Sequence, residues 1–121
     1  MSKTIKKVDN ISLGLSEKDL KKIIGLAQTT KKVSDSITLL VYKRHRVWLN
    51  NGIVVQISLY GKTTAKIGSL QLGKTAPESD NEMGTKYYSS NDEVWKYSKY
   101  PNVCFTLDKD CVVNEIFIFK I

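Results

Sequence analysis

The chain reads as an α+β protein, with two tandem helix-plus-β-meander repeats forming a largely antiparallel sheet and short helices packed on one side. Three observations predict this. Leu13-Gly14-Leu15-Ser16 recurs as Leu72-Gly73-Lys74-Thr75, and each copy is followed, after eight residues, by a glycine, Gly25 and Gly84. After each glycine comes a polar stretch and a tyrosine-bearing β-like segment, Leu39 to Tyr42 and Val94 to Tyr97. A hairpin pattern closes each half, its second strand opening Val54-Val55-Gln56-Ile57 and then Val112-Val113-Asn114-Glu115-Ile116, with Glu115 as an extra residue marking a β-bulge. With 121 residues, 41% of them hydrophobic, the chain suits a single domain, 1–121, holding repeat one over about 11–60 and repeat two over about 70–119.

The helices are signalled by their caps. Ser16 with Asp19, and Thr75 with Glu78, fit the capping box, in which a hydroxyl accepts from an early helix amide and an acid reaches back. In the first helix Leu15 and Leu20 form a staple, and Leu20, Ile23 and Ile24 make a narrow apolar stripe before Gly25. The second has Pro77 in its first turn but only Ala76, Ser79 and Met83 to pack before Gly84, so it is the weaker of the two.

The first hairpin turns at Asn50-Asn51-Gly52. A three-residue loop pairs Leu49 with Ile53 and Val47 with Val55, putting Val47, Leu49, Ile53, Val55, Ile57 and Leu59 on the core face. Arg44, Arg46, Trp48, Val54, Gln56, Ser58 and Tyr60 then face solvent. The rival is a two-residue Asn51-Gly52 turn, which sets Trp48 opposite Val55; the longer loop separates apolar from polar better. In the second half, strands over 93–97, 103–107 and 111–119 repeat the meander. The last is apolar on both faces, because Phe117 and Phe119 alternate with Ile116 and Ile118. Cover for the second face is expected from the N-terminal segment around Ile5 and Val8, the alternative being a partner.

The inventory argues against enzyme chemistry. His45 is the only histidine, so paired-imidazole catalysis is impossible, and a Ser-His-Asp set could be anchored only at a ring placed between Arg44 and Arg46. No nucleotide-binding glycine motif and no C-x-x-C is present; Gly61-Lys62-Thr63 lacks the opening glycines of a phosphate loop and reads as an inter-repeat turn. The carboxylates of Asp92 and Glu93, of Asp108 and Asp110, and of Glu78, Asp80 and Glu82 all have structural readings at strand, turn and helix starts. Cys104 and Cys111 flank a turn at Asp108-Lys109-Asp110, where neither hairpin register allows a disulfide, and one histidine with two cysteines does not complete a metal site. Both are expected to be reduced core or half-buried thiols. No catalytic residue, metal or cofactor is predicted.

Binding is the better expectation. The net charge of +7 is uneven: residues 1–66 hold 13 Lys/Arg against 4 Asp/Glu, residues 67–121 hold 6 against 8. The basic first half suits an anionic partner. Arg44, Arg46 and Trp48 form one solvent-side row, with Lys43 at its start and Tyr60 on the neighbouring strand; with Phe117 and Phe119 these are the candidate partner-binding residues. Lys21, Lys22, Lys31 and Lys32 add cations for a nucleic-acid reading, but no signature of a common nucleic-acid module is present, and the aromatic-rich half is the acidic one.

The doubled Leu-Gly-x-Ser/Thr, capped helix, Gly and meander resembles the tandem repeats of the β-lactamase-inhibitor-protein type and of the small outer-membrane lipoproteins of the SmpA/OmlA type. The sequence departs from that pattern at Met1 to Lys7, which run into polar residues with no apolar signal core, and in its cysteines, so neither a lipobox nor paired disulfides are expected. No stretch approaches the roughly 18 to 20 apolar residues that span a bilayer, so a cytoplasmic protein without a membrane span is expected, the alternative being one whose leader has been removed. In size and architecture it is similar to cytoplasmic immunity proteins of contact-dependent growth inhibition systems. That resemblance implies an immunity-type inhibitor that neutralises a bacterial toxin by occluding an acidic or mixed-charge surface, the alternative being a nucleic-acid-binding accessory domain.

Overall fold

The structure, a computed structural model, describes residues 3–61 and 65–120; Lys62 and Thr63 of the expected inter-repeat turn lie outside them. The α+β expectation is overturned. The described chain is mostly β, with one helix and a nine-stranded antiparallel sheet.

In chain order the elements are β1 (Lys7–Val8), β2 (Ile11–Ser12), α1 (Glu17–Ile24), β3 (Thr29–Lys32), β4 (Ile37–Val41), β5 (His45–Asn50) and β6 (Ile53–Leu59). Then follow β7 (Lys66–Ile67), β8 (Leu70–Gln71), β9 (Ser79–Asp80), β10 (Gly84–Ser89), β11 (Val94–Tyr97), β12 (Tyr100–Leu107) and β13 (Val113–Phe119). The large sheet runs β3-β4-β5-β6-β13-β12-β11-β10-β9, while β1 with β2 and β7 with β8 form separate small hairpins.

Helix α1 forms where its caps are good. Ser16 Oγ accepts from the Asp19 amide at 3.2 Å, Glu17 and Asp19 suit the positive end of the helix dipole, and the Gly25 amide returns to the Lys21 carbonyl at 2.9 Å. Leu20 is fully buried and Ile24 packs on the core, but Ile23 is exposed, so the apolar stripe is narrower than expected. The second helix does not form. Asp80 Oδ1 instead accepts from the amides of Glu82 and Met83, closing a tight turn between β9 and β10, and Ser69 donates to the same carboxylate. Ser79, Asp80 and Asn81 hydrogen-bond their own backbone more readily than they propagate a helix, and Pro77 offers no apolar face to hold one. Gly84 opens β10 rather than ending a helix.

The two halves nevertheless repeat their hydrogen bonds 59 positions apart. Gly14 donates to Val54 as Gly73 does to Val113, Val54 to Leu15 as Val113 to Lys74, and Ser16 bridges Ile53 as Thr75 bridges Val112. Val113, not Val112, is therefore the counterpart of Val54, and no residue is inserted at Glu115. The bulge lies one residue earlier and occurs in both halves. Val55 is left unopposed between the pairs Trp48–Gln56 and Leu49–Val54, and Asn114 between Thr106–Glu115 and Leu107–Val113.

This bulge explains why the hairpin register differs from the preferred one. Asn50 pairs with Ile53 across a two-residue Asn51-Gly52 turn with both residues at positive φ, the geometry whose twist matches antiparallel strands. Val54 is thus buried and Ile53 exposed, the reverse of the expectation, and the Val55 bulge restores the phase so that Ile57 and Leu59 face the core. In the second half Cys111 takes the place of Gly52, at φ 62°, and is exposed rather than core.

One face of the sheet, carrying Leu40, Val47, Leu49, Ile57, Leu59, Val103, Phe105, Ile116 and Ile118, packs under the small hairpins and α1, which contribute Val8, Ile11, Leu20, Ile67 and Leu70. The N-terminal segment belongs to this layer too. Val8 is in the core, Ile5 packs against it, and fully buried Asn102 clamps Ile5 by accepting from its amide at 2.9 Å and donating to its carbonyl at 2.6 Å. Ile5 and Val8 therefore do not cover the face of Phe117 and Phe119, contrary to the expected intramolecular cover.

A non-glycine residue held left-handed is strained, so Cys111→Gly should stabilise the protein by about 0.5–1 kcal/mol. Denaturant titration checks this; an unchanged or lower midpoint contradicts it.

Candidate functional site

The outer face of the sheet is built by pairing across both repeats. Arg46 sits opposite Ser58 and Ser58 opposite Phe117, which is followed by Cys104 and Lys96. A parallel row runs Lys31, Leu39, Trp48, Gln56 and Phe119. Because β6 and β13 are central neighbours, Phe117 and Phe119 from the end of the chain come beside Arg46 and Trp48 from its middle.

The side chains contact one another. Trp48 and Phe117 have ring centroids 6.2 Å apart at 45°. The Arg46 guanidinium lies 4.1 Å above the Tyr60 ring and donates to Glu115 Oε2 at 2.9 Å. Lys96 Nζ lies 5.7 Å from the Phe119 ring centroid and 3.5 Å from Asp92. Beneath them the Ser58 hydroxyl is fully buried and, among the described residues, has no hydrogen-bond partner. Tyr60 donates its hydroxyl to the Tyr42 carbonyl, fixing its ring. The face is therefore an aromatic cluster bordered by cations already held by carboxylates.

Lys43 and Arg44 sit apart from this cluster. The sequence reading placed Arg44 in the strand row, but it and Lys43 form the turn between β4 and β5, and both are exposed. The turn is fixed by backbone contact: the Tyr60 amide donates to the Arg44 carbonyl at 3.2 Å, and a Cβ on Gly61 would lie 2.8 Å from the Lys43 carbonyl oxygen. Only glycine permits that approach.

Glu115, Lys96 and Cys104 were missed as members of the face. Glu115 and Cys104 were legible in part, since both are in phase with Phe117 once the bulge is placed at Asn114. Burial pushes the Cys104 thiol up to about 11, so it stays neutral and unreactive. Its distance in phase from exposed Cys111 agrees with two free thiols.

Among the described residues no second constellation gathers chemistry. His45 Nε2 lies 3.0 Å from Asp9 Oδ2 on the β1–β2 turn. An open polar groove lined by Ser79, Asp80, Asn81, Gly84, Thr85, Ser98 and Lys99 contains Asp80. The Ser69 hydroxyl, then the Met83 and Glu82 amides, hold that carboxyl below its ordinary value; its acceptor positions are occupied by the turn. Among the described residues no cluster of three or more His, Cys, Asp or Glu is placed to hold a metal ion. No described helix is long and apolar enough to cross a membrane.

No protein-family model matches the chain, and no curated protein matches it. Among solved structures it is similar to a cysteine-rich secretory protein from Staphylococcus aureus, with a TM-score of 0.64 and 14% identity over 95% of this chain. The chain spans 45% of that structure's length, and at this identity the likeness is one of fold.

Iodoacetamide at pH 8 should modify Cys111 rapidly and Cys104 slowly, because the latter is half-buried and its thiol is raised to about 11. Peptide mass mapping reads this; equal labelling of the two would show that the outer face is not packed as described.

Proposed function

We propose that the chain is a cytoplasmic, immunity-type inhibitor that binds a protein toxin through the outer face of its sheet and neutralises it by occlusion. The observation that carries this reading is the cluster of half-buried Arg46, Trp48, Tyr60, Phe117 and Phe119 on the sheet face opposite the one packed under the small hairpins and α1. Rigid aromatics and an arginine immobilised before binding lose little conformational freedom on docking, which is why these types anchor interfaces.

The electrostatics favour a protein over a nucleic acid. Arg46 is paired with Glu115 and Lys96 with Asp92, so these two cations of the aromatic face are already neutralised in part. A phosphate-tracking groove needs free cations along its length. Lys43 and Arg44, exposed at the rim, supply charge for steering toward an acidic or mixed-charge partner surface. The thiol on the face, Cys104, is held neutral and Glu115 is engaged by Arg46, which supports recognition as its role.

The test is co-expression with each neighbouring gene product that arrests growth when expressed alone. The wild type should restore growth and co-purify with the toxin. Arg46→Ala with Trp48→Ala and Phe117→Ala should weaken the complex by at least about a hundredfold, on the order of 3 kcal/mol, and abolish protection. Full protection by this folded variant contradicts the reading. So does binding of single- or double-stranded DNA or RNA that falls by orders of magnitude over a fourfold rise in salt.

A further inference from the structure

The two ends of the large sheet are treated differently by the chain. At the β10 end the protein supplies its own edge partner. Asp80 and Ser79 of β9 pair with Gly84 and Thr85, and the Lys86 amide donates to the Glu78 carbonyl at 2.9 Å. Lys86 Nζ also meets the Glu78 carboxylate at 2.9 Å. The occupant of that edge is thus a short extended acidic segment, Glu78-Ser79-Asp80, held by backbone bonds and by a lysine of the strand it covers.

In the first repeat the corresponding stretch, Ser16 to Gly25, is used for the helix and its caps. Nothing in the described chain then pairs with the outer edge of β3, which is the end of the sheet. Val33 donates to the Ile37 carbonyl at 2.9 Å, so Thr29 and Lys31, in phase with Val33, bond toward β4. The N–H and C=O groups of Thr30 and Lys32 therefore point outward. All four residues of β3 are exposed. Apolar side chains bracket the strand, Leu26 at 80% and Val33 at 58% exposure, and the strand itself carries Lys31 and Lys32.

We propose that the β3 edge is a strand-addition site for an extended acidic segment of a protein partner, seated as Glu78-Ser79-Asp80 is seated at the opposite edge. Outward amides and carbonyls at Thr30 and Lys32 provide the ladder, Lys31 and Lys32 select carboxylates, and Leu26 and Val33 accept apolar residues flanking them. A second copy of this chain is a poor occupant, because pairing β3 with itself concentrates four ammonium groups on one ladder. This edge adjoins the outer face, whose row ends at Lys31, but its ladder groups at Thr30 and Lys32 lie outside the aromatic cluster, so either can fail without the other.

The full chain, labelled with nitrogen-15, is titrated with a short peptide of alternating valine and glutamate, and with a valine–lysine peptide of the same length. The acidic peptide should shift the Thr30 and Lys32 amides most and protect them from exchange. Thr30→Pro removes one outward donor and no bond to β4, so it should weaken binding about tenfold at unchanged melting temperature. Lys31→Glu with Lys32→Glu should abolish binding of the acidic peptide and admit the lysine peptide. Arg46→Ala with Trp48→Ala should leave both results unaltered, which separates this site from the outer face. No binding, shifts centred on Trp48 and Phe117, or binding that folded Thr30→Pro leaves intact would overturn the proposal.

Discussion

The pairing of β6 with β13 is the contact on which the rest of the molecule depends. It is antiparallel and joins equivalent strands of the two repeats, so Ile57 meets Ile118 and Leu59 meets Ile116 about a centre at Ser58 and Phe117. All four aliphatic side chains are almost completely buried. Each repeat brings half of a sheet whose inner strand would otherwise be an open, apolar edge, and joining the two edges removes both. The same junction lays the inner faces side by side, giving the small hairpins and α1 one continuous core to cover. Fixing Ser58 beneath Arg46 and Phe117 buries its hydroxyl without a partner among the described residues, a local cost tolerated at the centre of the junction.

The outer face follows from this junction. Bulges at Val55 and Asn114 lie at matching positions on the two central strands, and each shifts the side-chain phase by one residue. They let tight turns coexist with a correctly facing core, and they aim Gln56 and Ser58, Glu115 and Phe117 outward. Arg46 of one repeat can then reach Glu115 of the other at 2.9 Å, and Trp48 can lie against Phe117. The candidate site is thus a product of fusion, with neither repeat holding it alone.

Much of the sheet was legible because it obeys a two-residue period. The segments around Leu39, Val47, Ile57, Val94, Phe105 and Ile116 all form strands near their expected limits. The second helix was misread because Thr75 and Glu78 satisfy a capping pattern while the residues after them favour turns. Asp80 capturing two amides outweighs a helix with almost no apolar face. The two small hairpins were missed although Asp9 and Asn10, both at positive φ, mark a tight turn between Val8 and Ile11. Strand β3 has no apolar alternation and owes its conformation to β4 alone, so local sequence could not reveal it. Arg46, Trp48 and the two phenylalanines could be named from alternation, but their meeting required knowing that β6 and β13 are neighbours.

Access to Trp48 tests the account most directly. With Trp95→Phe leaving a single indole, iodide or acrylamide quenching reports Trp48 in the free protein and in its complex with the proposed protein partner. The outer-face reading predicts a partly accessible indole that becomes shielded on binding, with quenching reduced several-fold. Equal quenching in the two states would mean that the aromatic face is surface cover and that the partner binds elsewhere.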